Sequence, residues 1–170
     1  MKILGIDPGT AVVGYGVIDG HPGRQAQLTE CGVLRPSAGA SLAERLHAIH
    51  QGVTELLDKH RPDAVALEGI FNGKNVRTTV VLGHARGVIL LAAEQAGVPV
   101  AEYAPATVKR TVVGNGRAAK AQVGYMVAQL LRLRSAPTPA DAADGVALAL
   151  THLLRLGGAR PGRSALVGTR

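Results

Sequence analysis

The chain has 170 residues, 46% hydrophobic and 18% charged, with a formal net charge of +7, a size and composition suited to one domain with a core of its own. Its one cysteine, Cys31, excludes an internal disulfide and a cysteine-built zinc centre, and the 2% aromatic content argues against a protein that stacks successive bases on aromatic platforms. No apolar run approaches the about 18 residues of a membrane span, and Asp7-Pro8 interrupts the short apolar opening, so we expect no signal peptide and a soluble, cytoplasmic protein.

The first third reads as strands. KILGID (2–7) is apolar, DPGT (7–10) is a turn, and AVVGYGVID (11–19) is β-branched with interspersed glycines. QLTECGVLR (27–35) follows the His21-Pro22-Gly23 turn as a third strand, closed by Pro36. Ser41 and Glu44 have the spacing of a capping box. From there Leu42, Leu46, Ile49, Val53, Leu56 and Leu57 form one helical stripe that Pro62 stops. AVALEGI (64–70) is a buried strand ending near Glu68, and a turn at Asn72-Gly73 leads to a helix over about 76–96. PVAEY (99–103) is a fifth strand. Helices are expected at about 105–113, 118–133 and 140–156, separated by Gly114-Asn115-Gly116 and by a Pro137/Pro139 loop. This order predicts an α/β fold, a sheet of mixed direction flanked by helices, over residues 1–157, with a disordered basic tail over 158–170.

The charge is one-sided. Residues 1–102 hold nine Lys/Arg against ten Asp/Glu, whereas residues 103–170 hold ten Lys/Arg against only Asp141 and Asp144. Such a basic field points to an anionic partner, nucleic acid ahead of an acidic membrane; the bland alternative is a solvated basic half.

Four carboxylates stand where carboxylates are unexpected. Asp7 ends an apolar strand, Glu68 interrupts one, and Asp141 and Asp144 open a helix otherwise made of Ala, Val and Leu. Helical residues three apart share a face, so the last two can address one spot. Half-buried carboxylates are costly unless paired, protonated or bound to a cation, and no Lys or Arg adjoins them in sequence. An all-oxygen set favours Mg²⁺ or Mn²⁺ over Zn²⁺, and two such ions roughly 3.5–4 Å apart serve phosphodiester hydrolysis. Each acid also has an ordinary reading: Asp7 as a turn starter, Glu68 as a strand-end charge in solvent, Asp141 as part of a Thr138–Asp141 capping box, and Asp144 as a complement to the helix dipole. Among the histidines, His47 and His50 lie off the apolar stripe, His60 complements a helix end, and His84 sits between Gly83 and Gly87 on a close-packed helix; none is assigned to the metal.

The opening KILGIDPGTAVVGYGVI, the segment ALEGIFNGKN, the run TVKRTVVGNGRAAKAQVGYMV and the stretch PADAADGVALALTH together resemble the RuvC family of Holliday-junction resolvases, in order from about residue 2 to residue 156. Asp-x-Gly-Thr alone also opens actin-like and sugar-kinase folds, but TVVGNG followed by DAADGVALALTH at this spacing is specific. The resemblance implies an RNase H-like fold with a five-stranded mixed sheet. It also implies a metal-dependent endonuclease of recombination and repair, acting as a homodimer on four-way junction DNA. Symmetric nicks in two strands of like polarity would leave 5′-phosphate and 3′-hydroxyl ends, with two Mg²⁺ (or Mn²⁺) ions per active site. The implied partners are the RuvA–RuvB branch-migration complex, and the implied setting is the bacterial cytoplasm, at the nucleoid when acting.

Residue by residue, the family's acidic quartet falls on Asp7, Glu68, Asp141 and Asp144, its junction-point aromatic on Phe71 and its functional lysines on Lys109 and Lys120. Lys74, Arg77, Arg110 and Arg117 are read as further phosphate contacts. Two other classes compete. An actin-like ATPase explains DPGT but needs two such domains around a cleft and gives the basic half no role. A structure-selective DNA-binding module explains the charge but not the agreement of four carboxylates.

Overall fold

The computed structural model describes residues 1–69 and 76–158. β1 (Lys2–Asp7), β2 (Val13–Asp19) and β3 (Gln27–Leu34) come first, then α1 (Leu42–His60), β4 (Ala64–Glu68), α2 (Val76–Gln95) and β5 (Val100–Tyr103), and finally α3 (Pro105–Val113), α4 (Lys120–Leu130) and α5 (Ala140–Gly158). The five strands form one sheet in the order β3-β2-β1-β4-β5. The tight turns after β1 and β2 make an antiparallel meander, while α1 and α2 carry the crossovers that make β1, β4 and β5 parallel. The mixed sheet is as expected. β2 starts two residues later than the sequence pattern, β4 ends at Glu68, and α4 is shorter at both ends. Arg132 there takes a left-handed conformation (φ 54°), and the Leu133 amide donates back to the Ala128 carbonyl, closing the helix early. The Asn72-Gly73 turn and residues 159–170 of the expected tail lie outside the described residues.

α1 begins where its capping box predicts: the Glu44 amide donates to Ser41 Oγ at 3.3 Å and the Ser41 amide to Glu44 Oε2 at 2.7 Å. It ends through Arg61, in the left-handed region just before Pro62. His60 stands in the last turn of α1, as expected of a complement to the helix end. It is buried with Nε2 3.1 Å from Glu30 Oε2, because α1 leans on β3 at that point.

Two apolar layers enclose the sheet. Leu4 and Ile6 pack with Ile49 and Val53 of α1 and with Ala85 and Ile89 of α2. Ile3 and Ala66 pack on the other face with α3, α4 and α5. Because strand side chains alternate, Gly5 and Asp7 share the face of Ile3, and Glu68 shares the face of Ala66. Both strand-end carboxylates therefore turn toward α5.

α5 is held close to the sheet by missing side chains. A Cβ on Gly5 would stand 2.1 Å from the Gly145 carbonyl oxygen, and one on Gly14 would stand 1.9 Å from that of Asp141. The glycines that punctuate the first two strands thus allow the start of α5 to lie directly over the end of β1. Gly5→Ala is expected to lower the thermal midpoint by roughly 5–10 °C, since overpacking here displaces a helix backbone and not a flexible side chain. Calorimetry checks this.

α2 presents an apolar row to the exterior. An 18-residue stretch within its 20 residues has a mean hydropathy of 1.3, so the helix is long and apolar enough to cross a membrane by length and composition, although Arg77, His84 and Arg86 interrupt every longer apolar run. Its inner row packs on the sheet, but Val76, Val80 and Leu91 are 77%, 53% and 51% exposed. A Cβ on Gly83 or Gly87 would meet nothing within 4 Å, and His84 is exposed. The close packing expected around His84 is therefore not supplied by the described residues of this chain.

Candidate active site

Asp7 and Glu68, at the adjacent ends of two parallel strands, meet the first turn of α5, whose Asp141 and Asp144 project from one helix face. A cavity of about 270 Å³ opens there, lined by Asp7, Glu68, Lys109, Lys120 and Asp144 over an apolar floor that includes Val108 and Ala147. Asp7, Asp141 and Asp144 each present an oxygen within 4.8 Å of the other two. Glu68 lines the same cavity and acts on the cluster through its charge.

The electrostatics are those of acids forced together. Burial first, then the Glu68 and Asp144 charges, push the Asp7 carboxyl from 3.8 up to about 7. Burial and then Asp144 raise the Glu68 carboxyl. Burial raises Asp144 as well, against the hydrogen bond from Lys120. These shifts leave little room for the ordinary readings of Asp7 as a turn starter and Glu68 as a charge in bulk solvent.

Lys120 Nζ lies 3.1 Å from Asp141 Oδ1 and 2.6 Å from Asp144 Oδ2, and the Asp144 hydrogen bond is the main cause of its raised pKa. No Lys or Arg adjoins the acids in sequence, but the fold supplies a basic neighbour in space. Lys120 precedes Asp141 by 21 residues, and only the packing of α4 on α5 brings it there. Lys109, from α3, lines the same cavity, and its charge lowers the pKa of both Glu68 and Asp144. Four carboxylates against two lysines leave an excess of negative charge at a purely oxygen donor set, and these residues fit a hard divalent cation.

The other expected residues are more scattered. Arg77, in the first turn of α2, and Arg110 and Arg117, around the glycine-rich turn after α3, are exposed. Phe71 and Lys74 lie outside the described residues. Behind the site the Tyr103 hydroxyl and His152 Nδ1 are 2.8 Å apart, a contact between β5 and α5 that no local pattern announces.

Three comparisons with known proteins bear on the chain. The family profile described as crossover junction endodeoxyribonuclease RuvC matches residues 3–152. The crossover junction endodeoxyribonuclease RuvC of Parafrankia sp. is 53% identical over 155 residues, 91% of this chain and 87% of that one. The protein of the same name from Halorhodospira halophila is 55% identical over 151 residues, 89% of each. The structure of T. thermophilus RuvC in complex with Holliday junction substrate superposes with a TM-score of 0.87 at 39% identity, covering 93% of this chain and 96% of that one. The fold is thus RNase H-like, with its five-stranded mixed sheet.

Proposed function

This chain belongs to the RuvC family of crossover junction endodeoxyribonucleases, and from that premise we propose that it is a metal-dependent endonuclease of the bacterial cytoplasm that resolves Holliday junctions in recombination and DNA repair. The observation that carries the reading is a cavity lined by Asp7, Glu68 and Asp144, from β1, β4 and α5, beside Lys109 and Lys120, with Asp141 clustered against Asp7 and Asp144. An incidental set of acids would not be gathered from three elements at the cost of raised pKa values.

Asp7, Glu68, Asp141 and Asp144 would hold the metal, Mg²⁺ or Mn²⁺. Ions held there would supply activation of a water and stabilisation of the leaving oxygen of a phosphodiester. Lys120 partly offsets the charge of Asp141 and Asp144, and with Lys109 it offers positive charge to the scissile phosphate. Lys74, Arg77, Arg110 and Arg117 hold flanking backbone phosphates, and Phe71 addresses the junction centre. The products are a 5′-phosphate and a 3′-hydroxyl. The working unit is a homodimer joined through the exposed apolar face of α2 (Val76, Val80, Leu91) and its open Gly83 and Gly87. The RuvA–RuvB branch-migration complex brings the junction to it.

The test is a mobile four-way junction incubated with and without Mg²⁺. Paired, ligatable incisions in strands of like polarity, dependent on Mg²⁺, are expected. Tight binding without incision would reduce the chain to a junction-binding module, and ATP hydrolysis without incision would return it to the actin-like class.

A further inference from the structure

Arg86, in the middle of α2, has a side chain only 16% exposed. Its Nε donates to the Glu68 main-chain carbonyl at 3.2 Å, and its Nη2 donates to Glu102 Oε2. Glu102 is on β5, directly opposite Leu67 of β4. A helix side chain thus grips the backbone of β4 at the residue that presents a cavity carboxylate.

The register explains why that carbonyl is available. The Val65 and Gly69 amides donate to the Pro99 and Tyr103 carbonyls on the β5 side, so the alternate residues Ala64, Ala66 and Glu68 address β1. With Gly5 opposite Ala66 and Ile6 opposite Leu67, the next ladder donor due to the Glu68 carbonyl is the amide of residue 8. Residue 8 is a proline, which has no N–H to give. The β1–β4 ladder therefore ends one bond short, at the point where Asp7 and Glu68 stand side by side.

We propose that Arg86 is a positioning residue for the active site: it supplies the hydrogen bond that Pro8 cannot, and so fixes the end of β4 and the Glu68 carboxylate relative to Asp7. Arg86 does not line the cavity and acts only through Glu68. Arginine suits the task because its planar fork meets a carbonyl and a carboxylate at once, and the Glu102 contact fixes the orientation of the fork. A small displacement of a metal-holding carboxylate is costly, and loss of an orienting partner typically weakens metal affinity or activity by about 10–100-fold.

The proposal rests on the reading of the four carboxylates as a metal site, so its test separates metal binding from cutting. Mn²⁺ affinity is measured on the full-length, DNA-free protein by the electron paramagnetic resonance of unbound Mn²⁺, alongside thermal melting, junction binding in EDTA and single-turnover cutting. Arg86→Met is expected to weaken Mn²⁺ binding about tenfold and slow cutting about 10–100-fold, with junction affinity within twofold of wild type. Arg86→Lys, which can reach one of the two acceptors, is expected to recover part of both losses. Wild-type Mn²⁺ affinity in a folded Arg86→Met protein would overturn the proposal, as would losses that merely track the unfolded fraction. If Arg86→Met does not fold, Arg86→Lys decides alone: Mn²⁺ binding about threefold weaker supports the role, and unchanged binding overturns it. Should the wild-type protein bind Mn²⁺ but leave junctions intact, the nuclease reading fails while the Mn²⁺ titrations still judge Arg86.

Discussion

Asp7→Asn is expected to reduce junction cutting by on the order of a thousandfold or more, to leave junction binding intact, and to raise the stability of the metal-free protein at pH 7.5. The first two effects follow from the site: Asp7 is the most strongly perturbed of the four acids, and removing a negative charge cannot weaken contacts to phosphates. The third follows from linkage. The Asp7 carboxyl ionises at about 7 in the folded chain, above its ordinary 3.8. The folded state therefore holds a proton that the unfolded state releases as pH rises between those values. Stability is fully present below pH 4 and is lost as pH rises through 7. By pH 7.5 the cost of ionising this carboxyl is on the order of 4 kcal/mol, which asparagine avoids. The difference in thermal midpoint between Asp7→Asn and wild type should thus widen from pH 5 to pH 8, and Mg²⁺ should narrow it by stabilising only the wild type. Glu68→Gln, Asp141→Asn and Asp144→Asn should likewise bind without cutting. A variant that cuts at near wild-type rate would remove that residue from the metal site, and parallel stability profiles would show that Asp7 is not strained by its burial.

What was legible in the sequence was local. The Ser41–Glu44 spacing predicts an α1 start that both hydrogen bonds of the box realise. Strand alternation is enough to turn Asp7 and Glu68 to one side once the helix covering that side is known. The contacts that complete the site are not local. Lys120 meets Asp141 and Asp144 only because α4 packs on α5, and no periodicity in either helix encodes the pairing. The glycines in the first two strands are visible as interruptions, but their purpose, admitting the backbone of α5 to about van der Waals distance, belongs to the partner helix. Arg86 is hidden for a third reason. Its role is set by the absence of an amide at Pro8 and by a register between two strands, β1 and β4, that β2, β3 and α1 separate in the chain. For the acidic quartet itself, the ordered motifs shared with a known family supplied what spacing alone left open.

Two identical subunits are expected to act on each junction. A Holliday junction has two-fold symmetry and calls for nicks in two strands of like polarity, whereas one chain with the proposed acidic quartet would make one incision at a time. A closed two-fold dimer is the commonest oligomer and matches the symmetry of such a substrate. The surface for it is the outer face of α2, where Val76, Val80 and Leu91 are exposed and Gly83 and Gly87 leave room for close approach. On a cruciform plasmid, paired incision within one binding event gives linear product directly. Wild-type subunits mixed with an equal amount of Asp7→Asn subunits should instead accumulate nicked circles, because about half of the dimers formed at random hold one competent site. Val80→Glu places a charge on the proposed interface without entering the core. It should leave the fold intact, shift sedimentation to the monomer and abolish linear product. Linear product undiminished in the mixture, or a wild-type monomer on the junction by sedimentation, would sink the dimer and leave α2 without a partner.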